Sequence, residues 1–219
     1  MKNSDITAVY DILSDTYLVF EETDDESMNE GLSSTPFRAL VSVALSTMTT
    51  GPRTIKAALA LYEKVTTVEE LAEIDDDDLR ERIRSVAHYN RKTVNLKTMA
   101  RQIVERHDGQ VPETREELLA LTGIGRKCTD IMMNFQFDEP SIAVDTHVHR
   151  VVTRLGMVSD GTAEAVADEL NAVTPAEYKA HAHEWLIQHG MKVCVSRRPK
   201  CQSCPLQGLC AYPAESRSA

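Results

Sequence analysis

The sequence predicts an all-α protein, and three observations support this prediction. At three places a threonine stands three positions before a glutamate, which is the capping-box pattern that begins helices. The three pairs are Thr67 with Glu70, Thr114 with Glu117, and Thr174 with Glu177. Pro175 adds the proline that is favoured in a first helical turn. Finally, no run of residues alternates polar and apolar side chains with period two, as a half-buried strand would.

Apolar residues recur at spacings of three and four along several segments, as they do on the buried face of a helix. They are Ile6, Val9, Tyr10, Leu13 and Tyr17, then Leu40, Val43 and Ala44, then Val94, Met99 and Ile103, and finally Trp185 and Ile187. Residues 114–121 and 127–135 are predicted to be two further helices, joined by a hairpin over residues 122–126.

Length and composition limit the possible classes of protein. The chain has 219 residues and a formal net charge of -10, so it is long enough for one or two domains. No apolar run approaches the roughly 20 residues that span a bilayer, and the start MKNSDITAVY lacks the features of a signal peptide. We therefore expect a cytosolic protein with no membrane partner. The acidic balance disfavours an unspecialised nucleic-acid binder, because Lys and Arg make the phosphate contacts.

The charge is distributed unevenly along the chain. Acidic residues concentrate in residues 1–36 and in the run at residues 75–78, whereas residues 80–106 are mostly basic. The basic residues are Arg80, Arg82, Arg84, Arg91, Lys92, Lys97, Arg101 and Arg106. This segment is consistent either with a basic binding face or with an ordinary solvated helix surface.

The stretch LTGIGRKCTD contains the predicted hairpin. Gly123 and Gly125, on either side of Ile124, permit a positive φ and remove the Cβ atoms that would block the approach of another backbone. Exposed N-H groups at the start of the next helix suit an anion. With Arg126 beside them, they predict a clamp for a DNA phosphate, although a glycine-rich turn is also common as a simple tight connection.

Lys127 is an unusual choice for the start of a helix, since the helix dipole disfavours an ammonium group there. A nucleophilic lysine needs desolvation or a cationic neighbour such as Arg126, because an unperturbed lysine is almost fully protonated at neutral pH. Such a nucleophile also needs a carboxylate to stabilise positive charge that develops in the substrate. Asp145, after the apolar run that precedes it, is the candidate, although a helix N-cap is the ordinary reason for aspartate at this place.

Four of the five cysteines lie close together near the C-terminus, with six, two and five residues between them. They are Cys194, Cys201, Cys204 and Cys210. In a cytosolic chain this grouping indicates a metal site rather than disulfides, and both zinc and a 4Fe-4S cluster accept four thiolates. Cys128 is predicted to be a buried structural thiol. Among the histidines, which form no HExxH motif, His147 is the strongest functional candidate.

These motifs together resemble the endonuclease III family, the helix-hairpin-helix DNA glycosylases with a 4Fe-4S cluster. LTGIGRK, IAVDTHVHRV and the C-x6-C-x2-C-x5-C tail occur in the family's order and spacing, and the resemblance extends to PFRALVSVALS and PAEYKAHAHEWLIQHG. It implies a two-domain helix-hairpin-helix glycosylase fold. One domain would contain six helices over residues 29–139, and the iron-sulfur cluster domain would contain residues 1–28 and 140–219.

The resemblance also implies roles for individual residues. Lys127 would attack C1′ of a flipped nucleotide and form a Schiff base, and Asp145 would stabilise the cationic sugar. The four clustered cysteines would hold the 4Fe-4S cluster. The residues implied to contact DNA are Gly123, Ile124, Gly125, Arg126 and His147, together with Arg197, Arg198 and Lys200 on the loop between the first two cluster cysteines. The implied partner is double-stranded DNA with damaged pyrimidines or abasic sites, bound by a monomer in the cytoplasm, at the nucleoid if the source is bacterial.

Two positions depart from the family. Met48, in the stretch Ser-Thr-Met-Thr-Thr-Gly, stands where the family's Ser-Ala-Gln-Ala-Thr-Asp has a glutamine that fills the gap left by the flipped base. His88 stands where the family has a leucine wedge. A thioether cannot supply the donor and acceptor of an amide, and a histidine wedge loses apolar area when it is protonated. Both positions are still expected to contact DNA, with altered lesion choice or weaker excision.

Three alternatives remain open at this point. The monofunctional adenine-excising branch of the family is disfavoured, because it has serine at the Lys127 position and glutamate where Val43 stands. A noncatalytic, damage-sensing DNA-binding protein would explain Met48 and His88 but not the presence of both Lys127 and Asp145. A helical interaction module stabilised by zinc would lack the brown colour of an iron-sulfur protein.

Overall fold

The computed structural model describes residues 3–20 and 31–212, and within them the secondary structure is helical, as the sequence predicts. The α-helices are α1 (Asn3–Thr16), α2 (Pro36–Ser46), α3 (Gly51–Tyr62), α4 (Val68–Glu73), α5 (Asp76–Arg82), α6 (Tyr89–His107), α7 (Arg115–Leu119), α8 (Arg126–Gln136), α9 (Thr146–Leu155), α10 (Ala163–Val173) and α11 (Ala176–Lys192). A 3-10 turn covers Cys201–Ser203. None of the described helices combines the length and the apolar character needed to cross a bilayer.

The described residues form two compact units. We call residues 31–139 the hairpin unit, which contains α2 to α8, and residues 3–20 with 140–212 the cysteine unit, which contains α1 and α9 to α11. The hairpin unit therefore has seven described helices, one more than the resemblance implies. The predicted domain boundary between residues 28 and 29 lies outside the described residues.

The core of the hairpin unit consists of apolar side chains from every one of its helices. Fully buried members include Leu40, Leu61, Leu71, Leu79, Met99, Leu118 and Met132. Helix α6 packs on α4, α5 and α2, so it runs through the middle of this unit. Val94 is 60% exposed, so its predicted place in the buried stripe of α6 is wrong.

Part of the basic segment at residues 80–106 is buried in the hairpin unit. Lys92 and Lys97 are buried, and their ammonium groups donate to backbone carbonyls within the hairpin unit. Arg82 pairs with Asp78 on its own helix at 2.7 Å. These three cations thus serve the structure of the unit, because buried charged groups require such partners.

The cysteine unit packs α1 and α9 against α11. Its buried side chains include Tyr10, Leu13, Val148, Val152, Leu170 and Leu186. Tyr10 forms a 2.9 Å hydrogen bond with the hydroxyl of Thr174. Burial raises the pKa of Tyr10 well above its usual value, so this phenol remains neutral.

The predicted helix starts are confirmed at two of three places. Thr67 and Glu70 form a complete capping box, and the side chain of Thr114 accepts from the backbone N-H of Glu117. The prediction for Thr174 is wrong, because this residue is the C-cap of α10, and α11 follows Pro175 without a side-chain cap. The hydroxyl of Thr174 is instead engaged by Tyr10, since bonding a buried phenol outweighs capping a helix end.

Candidate active site and cysteine centre

The predicted hairpin lies between α7 and α8, and α8 begins at Arg126, so Lys127 is the second helical residue rather than the first. Gly125 is the N-cap and provides no side-chain hydrogen bond. Within the described residues, the N-H of Gly123 makes no hydrogen bond to another backbone group, whereas the N-H of Gly125 is directed at the thiol of Cys128 and lowers its pKa, against the larger effect of burial. The start of α8 has no side-chain cap, and backbone N-H groups at such a helix start can bind an anion.

The two hairpin glycines serve different purposes. Gly123 has a φ of 86°, and a Cβ added to it would approach the side chain of Asn95 to 3.0 Å. Gly125 has a φ of -110°, so of the two glycines only Gly123 uses the positive φ that glycine permits. A Cβ on Gly125 would meet nothing within 4 Å, so its face is open to solvent. Ile124 between them is buried and anchors the turn to the core of the hairpin unit.

Arg126 is engaged with the fully buried carboxylate of Asp130, its Nε lying 3.0 Å from Oδ2. Arg115 also pairs with Asp130. The guanidinium of Arg126 thus helps to neutralise a buried charge, which fixes the first turn of α8.

Lys92 is the cationic neighbour of Lys127 that the sequence did not indicate. Burial is the main reason that the pKa of Lys92 falls to about 8; the Cys128 thiol opposes this shift, and the charge of Lys127 adds to it. The two lysines therefore lie within electrostatic reach of one another. Cys128 is buried as predicted, and burial raises the pKa of its thiol.

Asp145 is the N-cap of α9 in the cysteine unit. Its Oδ1 accepts from the backbone N-H groups of His147 and Val148, both at 2.8 Å. The capping interpretation of Asp145 is therefore correct. Because one oxygen accepts both bonds, Oδ2 takes no part in capping. A single carboxylate can thus start the helix and still offer an oxygen to another group.

His147 lies on the first turn of α9, where it contacts α11. Arg150 donates to its Nδ1 at 3.2 Å, and a Cβ on Gly190 would approach the Cβ of His147 to 3.0 Å. Accepting at Nδ1 leaves the proton of a neutral imidazole on Nε2.

Met48 and His88 occupy two loops of the hairpin unit in the same unusual backbone conformation. Met48 has a φ of 54° and is 83% exposed. His88 has a φ of 56°, is exposed, and precedes α6 without making a side-chain cap. Non-glycine residues rarely adopt the left-handed region, and such strain is concentrated at functional sites. Each backbone presents its side chain to solvent.

The four predicted ligand cysteines line one cavity together with Arg154, His189 and Tyr212. All four are free thiols. Burial, together with the charges of the other three sulfurs, raises the pKa of Cys204. Within the described ranges, no three His, Cys, Asp or Glu side chains have the placement of a site for one metal ion. A 4Fe-4S cluster fits four thiols around one apolar cavity, because each iron takes one thiolate and the irons offset the repulsion between the sulfurs.

Neighbouring side chains also contact these sulfurs. Arg154 donates to Cys194 Sγ at 3.6 Å, and His189 Nε2 lies 3.7 Å from Cys204 Sγ. The loop from Cys194 to Cys201 carries three exposed cations, Arg197, Arg198 and Lys200.

The chain was compared with known proteins. Residues 41–176, more than half of the chain, match the HhH-GPD superfamily of base excision DNA repair proteins. Residues 194–210 match the iron-sulfur binding domain of endonuclease III. Endonuclease III of Escherichia coli strain K12 is 38% identical over 179 residues, which cover 82% of this chain and 85% of that protein. The chain belongs to the endonuclease III family. Endonuclease III of Haemophilus influenzae is 37% identical over 177 residues, covering 81% of this chain and 84% of the relative.

Solved structures agree with this membership in the endonuclease III family. A trapped endonuclease III-DNA covalent intermediate matches with a TM-score of 0.87 and 31% identity, and the match covers 96% of each chain. A thermostable thymine-DNA glycosylase matches with a TM-score of 0.78 and 21% identity, covering 96% of this chain and 97% of the other, which shows a shared fold.

As a member of the endonuclease III family, the protein is a base-excision repair DNA glycosylase and abasic-site lyase that carries a 4Fe-4S cluster. The family expected from the motifs is thus confirmed. The noncatalytic alternative is not favoured, and the cluster rather than zinc is the cofactor.

Proposed function

We propose that the protein removes oxidised pyrimidines from duplex DNA and cuts the strand at the resulting abasic site, with Lys127 as the nucleophile. The observation that carries this proposal is the uncapped start of α8 at Gly125, with Lys127 in the first helical turn. Backbone N-H groups at a helix start favour a phosphate there, and a lysine beside them is electrostatically costly for the helix itself. Phosphate binding accounts for the uncapped helix start, and the proposed reaction accounts for the lysine in its first turn.

The covalent steps need no oxidant or reductant. The neutral amine of Lys127 attacks C1′ of the sugar, and the bond from C1′ to the base breaks with its electron pair leaving on the base, which takes up a proton. Loss of the amine proton and opening of the sugar ring give a Schiff base. Removal of a proton from C2′ then expels the 3′ phosphate by β-elimination, and water releases Lys127.

Asp145 is proposed to stabilise the positive charge that develops on the sugar. Its Oδ1 is held by two backbone N-H groups, so the carboxylate is fixed in place before substrate binds. A fixed negative charge costs little reorganisation during the reaction, which is the condition under which electrostatic stabilisation is most effective.

The DNA backbone is proposed to be held at two places. The N-H groups of Gly123 and Gly125 would bind one phosphate, and the exposed loop that carries Arg197 and Lys200 would bind another. The cluster, held by the four cysteines of the C-terminal cavity, supplies a rigid support for that loop. Because the net charge of the chain is -10, we expect weak DNA affinity that falls steeply with salt.

Met48 and His88 are proposed to enter the duplex when the damaged nucleotide is flipped. Their exposure and left-handed backbones support this role. Extrusion of a base costs a few kcal/mol, and less for damaged bases. Without the amide and the apolar wedge typical of the family, excision is expected to be weaker or directed to other lesions.

The protein is further proposed to act as a monomer in the cytoplasm, at the nucleoid, since its relatives are bacterial enzymes.

Borohydride trapping tests the proposed activity. Duplexes carrying thymine glycol or an abasic site are incubated with the protein, and Lys127→Ala is the control. A Lys127-dependent adduct on the thymine glycol duplex would support the proposed glycosylase and lyase chemistry on oxidised pyrimidines. Trapping on the abasic duplex alone would contradict the proposed substrate class. No adduct on either duplex would contradict the role of Lys127.

A further inference from the structure

The loops that carry Met48 and His88 are far apart in the sequence but joined by one hydroxyl group. Thr49 Oγ1 accepts from the backbone N-H of Ala87 at 3.1 Å and from Lys92 Nζ at 3.2 Å. The same hydroxyl donates to the carbonyl of Thr47 at 3.2 Å. Thr49 therefore uses its one donor and both of its acceptor sites. The residue after Met48 is thereby bonded to the residue before His88.

Lys92 adds further hydrogen bonds to this connection. Its buried ammonium group donates to the carbonyls of Leu45 at 2.6 Å and Thr47 at 2.7 Å, as well as to Thr49. Three N-H donors thus meet three acceptors, and the two carbonyls lie at the C-terminal end of α2, where the helix dipole favours a cation. Lys92 lies one helical turn after His88, whose carbonyl accepts from the backbone N-H of Lys92 at 3.0 Å.

A second pair of bonds joins the first turn of α3, just after the Met48 loop, to the loop that carries His88. Ser85 Oγ donates to the carbonyl of Arg53 at 2.9 Å, and Arg53 Nε donates to the carbonyl of Ser85. The chain that follows Met48 is thus tied at Thr49 and at Arg53 to the backbone that leads to His88. Two loops with left-handed residues would otherwise relax independently, because that conformation is costly for residues other than glycine.

We propose that Thr49, supported by Lys92, is a positioning residue that holds Met48 and His88 as one rigid pair, so that both side chains enter the duplex together when a base is flipped. This inference rests on the proposed DNA contact of these two side chains. An alanine in place of Thr49 offers neither acceptor, so the link through this side chain would be lost.

The test compares Thr49→Ala with Thr49→Ser, which keeps the hydroxyl, and with Thr98→Ala as the matched control. Thr98 also has a bonded hydroxyl in the hairpin unit, but it donates within its own helix, to Val94 at 2.9 Å. Single-turnover excision is measured on a thymine glycol duplex, from which a base must be extruded. Borohydride trapping is measured on an abasic duplex, which has no base to extrude.

Thr49→Ala is expected to slow excision about tenfold, equal to about 1.4 kcal/mol, and to change abasic trapping less than twofold. Thr49→Ser and Thr98→Ala are expected to stay within about twofold in both assays. Excision by Thr49→Ala at the wild-type rate would overturn the proposal. Equal losses of excision and trapping, or failure of Thr49→Ser to retain excision, would also overturn it, because they indicate a general structural role.

A fluorescence measurement separates this inference from the proposed chemistry. A 2-aminopurine base placed beside the lesion reports unstacking, and it is read with proteins that carry Lys127→Ala. Binding is expected to raise the fluorescence, and adding Thr49→Ala to reduce that rise severalfold. If the rise is unaffected by Thr49→Ala, the positioning role is wrong even where trapping supports the chemistry. If trapping fails but the dependence on Thr49 is seen, the chemistry is wrong and the positioning role stands.

Discussion

Asp145 offers a way to separate a structural role from a chemical one in a single side chain. Its Oδ1 accepts two N-H groups of α9 at 2.8 Å each, and Oδ2 takes no part in the cap. Asparagine and aspartate are equally good N-caps. In Asp145→Asn the amide oxygen can accept the same two bonds, so the substitution removes the negative charge and keeps the cap. Asp145→Ala removes both.

The structure sets the size of each effect on stability. Loss of an N-cap lowers the free energy of unfolding by about 0.5 to 2 kcal/mol. We expect about 2 kcal/mol for Asp145→Ala, because two N-H donors lose their acceptor. Asp145→Asn loses only the interaction of the charge with the helix dipole, about 0.5 kcal/mol. For a chain of this size, about 1 kcal/mol lowers Tm by roughly 2 to 4 °C. Asp145→Ala should therefore melt about 4 to 8 °C below the wild type and Asp145→Asn about 1 to 2 °C below it.

Activity should not follow this order of stability. If the charge stabilises a cationic sugar, both variants lose it, and excision should fall at least about 100-fold in each. Single-turnover excision of thymine glycol at 25 °C, where both variants are folded, together with thermal melting, provides the comparison. Asp145→Asn within about threefold of the wild-type rate would refute the role of the charge, and equal Tm losses in the two variants would refute the capping argument.

Three further predictions concern the DNA contacts and the cluster. Met48→Gln with His88→Leu should raise thymine glycol excision about three- to tenfold, the value of one restored hydrogen bond; an unchanged rate would contradict the importance of these departures. Gly123→Ala should lower Tm, because the φ of 86° and a 3.0 Å contact with Asn95 oppose an added Cβ. Gly125→Ala should keep Tm, because nothing lies within 4 Å of an added Cβ, and should weaken DNA binding in a gel-shift assay. The reverse pattern would exclude a phosphate at Gly125. Cys204→Ser should reduce the visible absorption of the cluster and the DNA affinity together, and full affinity without that absorption would show that the loop needs no cluster.

The sequence predicts the helical class and the fold because these depend on patterns that are local in the chain. Capping at Thr67 and Asp145 depends on backbone groups two or three residues away, so the residue type and its spacing suffice. The prediction failed at Thr174 because its hydroxyl is taken by Tyr10, 164 residues distant in the sequence. No local pattern can show such a competitor.

The surroundings of the candidate site depended on tertiary contacts in the same way. Lys92 and Lys97 belong to a basic stretch that looks like a solvated surface, and only the folded unit shows that both are buried on carbonyl groups. Thr49 carries no signal in the sequence, because its partners Ala87 and Lys92 come from a different part of the chain. The positive φ of Met48 and His88 could likewise not be predicted, because methionine and histidine usually adopt a negative φ.

The identity of the lysine that forms the Schiff base is the most direct test of this account. Borohydride-trapped protein from the abasic duplex can be digested, and the peptide that carries the sugar remnant sequenced by mass spectrometry. Lys92 is the informative competitor, because its pKa of about 8 makes it a plausible amine and it lies within electrostatic reach of Lys127. We predict that the remnant is on Lys127. A remnant on Lys92, whose ammonium group is assigned here to hold the Met48 loop, would contradict the proposed nucleophile and the positioning role together.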